Sequence, residues 1–207
     1  MKIIGVYRKP DFVTMTGGAF SVTGIILAMK GHIYWSILCM LLALLCDGFD
    51  GVVARRGKYV DYQSVYGTEL DSLCDVVSFG VLPMVIVQNI TSFNIFSVIA
   101  SIIFCLCGIV RLAYFNMLSI TKKSDGKSFI GFPIVISAVV LPIVYFILEV
   151  FKINLGNIIY PVVLLVCGAL YVVPVKLKKL STRERLICAL FGLVFVIILS
   201  FVYCRFK

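Results

Sequence analysis

The sequence predicts an all-α protein, a polytopic bundle of membrane-spanning helices, and three observations carry that expectation. Hydrophobic residues fill 61% of the 207 positions and mean hydropathy is +1.10, while charged residues reach only 14%, well below a soluble domain's share. Seven apolar runs follow one another, each close to the ~20 residues that a bilayer requires. The net charge of +9 sits in short basic segments between those runs, which marks membrane topology rather than a nucleic-acid-binding face.

The runs fall at about 12–29, 33–54, 69–90, 93–118, 129–151, 157–175 and 185–204. Before the first, MKIIGVYRKPD is basic and broken by Pro10 and Asp11, and no small-residue cleavage site follows, so a retained span is expected rather than a signal peptide. The second run ends in an acidic stretch that continues to the start of the third. The fourth carries Arg111 near its end, and the fifth opens on Phe129–Pro133 (FIGFP). The last follows the basic stretch KLKKLSTRER and carries no motif, so it reads as an accessory span. With no linker, low-complexity segment or internal repeat in view, a single transmembrane domain is expected, with a core over about 10–180 and the accessory span over about 185–204.

Lysine and arginine retain loops in the cytoplasm. With seven spans, fourteen of them lie on the side of the N-terminus, the acidic stretch, Lys122 to Lys127 and Lys176 to Arg185, against four on the other side. The expected product is an integral membrane protein whose N-terminus and aspartates face the cytoplasm.

Other chemistries have little support. The eight cysteines are scattered mostly through apolar runs without CxxC or accompanying histidines, which indicates neither a zinc site nor a disulfide framework. The lone histidine, His32, lies in a Lys-Gly-His turn, and there is no G-x-S-x-G, so any general base should be a carboxylate.

Asp47 to Asp75, DGFDGVVARRGKYVDYQSVYGTELDSLCD, is the chemically distinctive stretch. Ionised carboxylates in so apolar a chain cost several kcal/mol unless a metal, a base or water compensates them. On helical flanks Asp47, Asp50 and Ala54 share one face, at steps of three and seven residues, and Asp71 and Asp75 share another at a step of four. Two helix ends bearing carboxylate pairs can close around hard divalent cations such as Mg²⁺, Mn²⁺ or Ca²⁺. The same acids could instead form an ion-pair network with Arg55, Arg56 and Lys58, or serve a cation transporter, although the other spans supply few partners for a transport path.

The order D-x-x-D-G-x-x-A-R followed by G-x-x-x-D-x-x-x-D resembles the signature of the CDP-alcohol phosphotransferase family, with Asp47, Asp50, Gly51, Ala54, Arg55, Gly67, Asp71 and Asp75 all matching. Eleven residues separate Arg55 from Gly67, three more than the family pattern usually has. Three further strings resemble the family's serine branch: Gly67 to Pro83, Cys107 to Asn116, and Phe129 to Pro133. The resemblance implies a six-helix core forming a homodimer, and transfer of a phosphatidyl group from CDP-diacylglycerol to L-serine with release of CMP. It implies two divalent cations, Mg²⁺ or Mn²⁺, on Asp47, Asp50, Asp71 and in part Asp75, with Asp75 as the catalytic base. Asp11, Thr14, Gly51, Ala54, Arg55 and Gly67 are implied on the CDP and pyrophosphate side; Asp11 and Thr14 match the Asn/Asp-x-x-Thr opening of many members.

Arg111 is a candidate from residue chemistry as well. An arginine inside a span should face protein or a polar cavity, and its planar fork suits a carboxylate or a phosphate; snorkelling to the interface is the plainer alternative. A sister transferase acting on glycerol 3-phosphate or inositol phosphate would need a denser basic pocket for its acceptor.

Overall fold

A computed structural model of the chain describes residues 6, 8–54, 57, 60–120, 128–174 and 176–178. The apolar run expected at 185–204 lies outside the described residues, as do Arg55, Arg56 and Lys58. Within them the chain is helical: α1 (Lys9–Met29), α2 (Ile33–Ala54), α3 (Asp61–Asp75), a π-helical turn (Val76–Val81), α4 (Leu82–Ile90), α5 (Ile95–Ile120), α6 (Ile136–Val150) and α7 (Gly156–Val172). The exception is a pair of three-residue antiparallel strands, β1 (Ser128–Ile130) and β2 (Lys176–Lys178), in which Ser128 stands opposite Lys178.

Four stretches are long and apolar enough to cross a membrane: Lys9–Met29, Ile33–Ala54, Tyr62–Ile90 and Ile95–Leu118. The protein is an integral membrane protein. Helices α6 and α7 have only 15 and 17 residues, roughly 22 and 26 Å at 1.5 Å per residue, shorter than the sequence suggested and than the ~30 Å hydrocarbon layer. The expected fifth run is cut because its head, Phe129–Pro133, is not helical: Gly131 has φ +83°, where a side chain would be strained, and Pro133 disfavours helical backbone before it. Non-helical backbone at this depth needs internal partners. Arg111 Nε donates to Phe132 O at 2.9 Å and Tyr171 Oη donates to Ile134 O at 2.7 Å.

The third helix departs from expectation in the other direction. It begins at Asp61, eight residues before the apolar run, with the Val60 N–H donating to Gln63 Oε1 at 3.3 Å. Hydropathy marks only the lipid-embedded part of a helix, and Asp61–Thr68 is polar.

Small residues and a tight turn bring the aspartate-bearing ends together. The α1–α2 hairpin closes at Gly31, whose φ of +79° is readily adopted only by glycine, with Gly31 N–H donating to Ala28 O and His32 N–H to Leu27 O. A Cβ on Gly17 would lie 3.0 Å from Cys46 Cβ, and one on Gly18 would lie 3.2 Å from Cys74 Sγ, so these glycines let α1 approach α2 and α3 closely. Deeper in the bundle Phe79, Leu82, Ile86, Phe104, Leu141 and Leu164 form a buried core. The π turn directly after Asp75 is anchored to that core, where Ser137 Oγ donates to Phe79 O at 2.9 Å.

Candidate active site

The last turns of α2 and α3 deliver the acids. Asp47, Asp71 and Asp75 are each half-buried, and each offers an oxygen within 4.8 Å of those of the other two. With Thr14, Gly17 and Gly18 of α1, Asp50 of α2 and Ser78 beyond α3, they line a half-open cleft.

Asp50, expected with the others as a ligand, stands apart from this close group. It is 6% exposed, and its Oδ2 accepts from Thr14 Oγ1 at 2.5 Å. Thr14 Oγ1 also lies 3.3 Å from Pro10 O, a distance at which the carboxylate is the stronger acceptor. Thr14, expected to contact nucleotide, thus holds a neighbouring aspartate.

Asp11 is likewise engaged. It is 1% exposed, its Oδ2 accepts from the Arg8 N–H at 2.9 Å, and its Oδ1 accepts from Arg8 Nη2 at 2.7 Å and Nε at 3.1 Å. The paired guanidinium lies directly against Gly67, where any Cβ would overlap it. The signature glycine therefore accommodates an arginine from the chain's own N-terminal segment. Arg8 was not recognisable from sequence, because nothing local links it to a residue almost sixty positions away.

Gly51 and Ala54 occupy the final turn of α2, both half-buried, and Arg55 lies outside the described residues. Arg111, on α5, is half-buried, pins Phe132 O and stands 5.1 Å from the centroid of the Phe115 ring. A polar seam also joins α3 to α5: Ser72 Oγ donates to Asn116 Oδ1 at 3.0 Å, and Asn116 Nδ2 donates to Glu69 Oε1 at 3.4 Å. Both Glu69 and Asn116 fall within strings singled out from sequence, but only the packed helices show that they meet.

The donor set fits a divalent cation. Three carboxylates converge with hard oxygen donors, and Asp71 Oδ1 is buried with no hydrogen-bond donor among the described residues. An unserved buried carboxylate oxygen costs about 1–3 kcal/mol or more, and a bound cation would remove that cost.

Such a fold and site define a class: integral membrane proteins with an acidic, cation-competent cleft at one end of a helical bundle. Residues 7–175 match the model of the CDP-alcohol phosphatidyltransferase family, and the chain belongs to that family. It is 34% identical over 145 residues to the archaetidylserine synthase of Methanothermobacter thermautotrophicus, covering 70% of this chain and 60% of that protein. It is 40% identical over 131 residues to the CDP-diacylglycerol-serine O-phosphatidyltransferase of Methanocaldococcus jannaschii, covering 63% and 57%. With the protein of the same name from Bacillus subtilis it shares 28% identity over 149 residues, covering 71% and 75%. The matched part thus spans about three fifths of the first two relatives' own length.

Proposed function

We propose that this protein transfers a phosphatidyl group from CDP-diacylglycerol to the hydroxyl of L-serine and releases CMP, as a phosphatidylserine synthase. The observation that carries the reading is the convergence of Asp47, Asp71 and Asp75, with Asp71 Oδ1 unserved, in a membrane chain of this family. Relatives named for serine transfer support the choice of acceptor.

On this reading Asp47 and Asp71 hold Mg²⁺ or Mn²⁺, two ions in all, with Asp75 contributing only in part and Asp50 as a further ligand kept in place by Thr14. When bound, these cations would polarise the pyrophosphate and neutralise charge on the departing CMP. The chain's own groups do the rest. Gly51 and Ala54 leave room for the nucleotide, and Arg55 neutralises a phosphate, while Gly67 leaves room for Arg8, which Asp11 holds on that same side. Asp75 takes the proton of the serine hydroxyl, and Arg111 binds the serine carboxylate, for which its fork is suited. The protein is proposed to act as a homodimer.

An acceptor screen tests this. Purified protein in detergent with CDP-diacylglycerol and Mn²⁺ should release CMP with L-serine and only at background with glycerol 3-phosphate, inositol phosphate or no addition. Release with a phosphorylated acceptor and none with serine would assign the protein to a sister activity.

The site is proposed to face the cytoplasm. The C-terminal ends of α2 and α5 and the N-terminal ends of α1, α3 and α6 lie at one end of the bundle, and the basic segments of the sequence cluster there. In a background without native cysteines, Lys58→Cys and Lys123→Cys should react only with a reagent that reaches the cytoplasm, and Lys152→Cys should react from outside. The reverse pattern would place the nucleotide site on the wrong side.

A further inference from the structure

We infer that Glu69 recognises the ammonium group of the acceptor and turns away acceptors that carry a phosphate, an inference that rests on the serine reading above. Glu69 is exposed on α3, and among the described residues it has no basic partner. Its neighbour is an amide. Asn116 Nδ2 donates to Glu69 Oε1 at 3.4 Å, while Asn116 Oδ1 accepts from Ser72 Oγ at 3.0 Å. Ser72 thus orients the amide, and the amide steadies one carboxylate oxygen without neutralising its charge.

The position of this group relative to the cluster matters. Glu69, Ser72 and Asp75 succeed one another at steps of three on α3, each turned about 60° from the last, a row that winds from the exposed Glu69 to the half-buried Asp75. Helix α5 runs antiparallel beside it, with Asn116 opposite Ser72 and Arg111 five residues, or about 7.5 Å, farther along in the direction of Asp75. The α3–α5 seam therefore presents a carboxylate and an amide at one end, a guanidinium at the other, and Asp75 at the guanidinium end.

That pattern complements a zwitterionic amino acid. The carboxylate of serine pairs with Arg111, its ammonium with Glu69, and its hydroxyl is left to Asp75. A glycerol or inositol phosphate would instead bring a dianion beside a carboxylate with no basic partner among the described residues, the repulsive element that specificity requires. Glu69 would then explain acceptor choice without a denser basic pocket.

The test compares analogues that lack one charge. CMP-release assays would give the KM for L-serine, together with inhibition constants against serine for 3-hydroxypropanoate, which has no ammonium, and ethanolamine, which has no carboxylate. Glu69→Gln should raise the serine KM and the ethanolamine inhibition constant about 10- to 100-fold, the loss of one charge-assisted hydrogen bond. It should leave the 3-hydroxypropanoate constant unchanged or lower, and the KM for CDP-diacylglycerol unaltered. Glu69→Asp, which keeps the charge, should retain discrimination between serine and 3-hydroxypropanoate, and it provides the same comparison if Glu69→Gln does not fold.

Equal weakening of serine and 3-hydroxypropanoate, or loss of discrimination in Glu69→Asp, would overturn the assignment and leave Glu69 a positioning residue. Wild-type turnover on serine with unchanged constants in Glu69→Gln would overturn this inference alone. Wild-type turnover on glycerol 3-phosphate in place of serine would overturn the serine reading as well.

Discussion

Asp75→Asn should lower CMP release from CDP-diacylglycerol and L-serine by about 10²- to 10⁴-fold, the contribution of a positioned general base. Asp75 ends α3 within reach of Asp47 and Asp71, and of the three it is the one that directly precedes the π turn. On the proposed reading it stands between a donor side lined by α1 and α2 and an acceptor side at α5. Asparagine keeps the size and an acceptor oxygen but cannot take a proton from the attacking hydroxyl. CDP-diacylglycerol binding, measured by filtration with labelled lipid, should persist within about threefold, below the tenfold that 1.4 kcal/mol represents. Near-normal turnover would end the candidacy of Asp75 as the base. A loss of Mn²⁺ affinity as severe as in Asp71→Asn would make it a ligand first.

Asp71→Asn should abolish the rise in Tm that Mn²⁺ gives the wild-type protein. A ligand that binds only the folded state stabilises it by about 2.7 kcal/mol at a hundred times its Kd, and that gain disappears with the binding site. The buried, unserved Asp71 Oδ1 makes this residue the most sensitive member of the cluster. In metal-free buffer the same substitution should raise Tm, because it removes one of three mutually repelling carboxylates from a partly buried site. Asp50→Asn should cost less metal affinity, since Asp50 already has Thr14 as its partner and stands outside the close group. Thermal shift with and without Mn²⁺ decides the matter. An undiminished Mn²⁺ shift in Asp71→Asn, or a metal-free Tm below wild type, would remove Asp71 from the ion site.

The two substitutions differ in legibility as well. That Asp47 and Asp50 would share one helix end, and Asp71 and Asp75 another, follows from residue spacing, since a helix repeats every 3.6 residues whatever surrounds it. That Asp50 would turn to Thr14, leaving Asp47 to meet Asp71 and Asp75, does not follow from spacing, because it depends on how α1 and α2 are rotated about each other. The early start of α3 was hidden for another reason: Asp61–Thr68 is helical but polar, and hydropathy detects lipid rather than helix.

By itself, then, the sequence determined what is local or additive. An apolar composition requires backbone groups to pair within helices, so a membrane bundle follows from residue content alone. Helical periodicity places the acid pairs, and charge in the loops orients the chain in expectation. The tertiary structure decided everything that needs two distant segments at once. Gly17 and Gly18 set the approach of α1 to Cys46 and Cys74, and the notch at Gly67 receives Arg8. Arg111 is drawn to Phe132 O because a non-helical stretch needs a donor for its carbonyls, and Asn116 finds Glu69 across the α3–α5 seam. Each of these contacts depends on helix rotation and depth, which close packing sets jointly for the whole bundle and no single stretch of sequence sets alone.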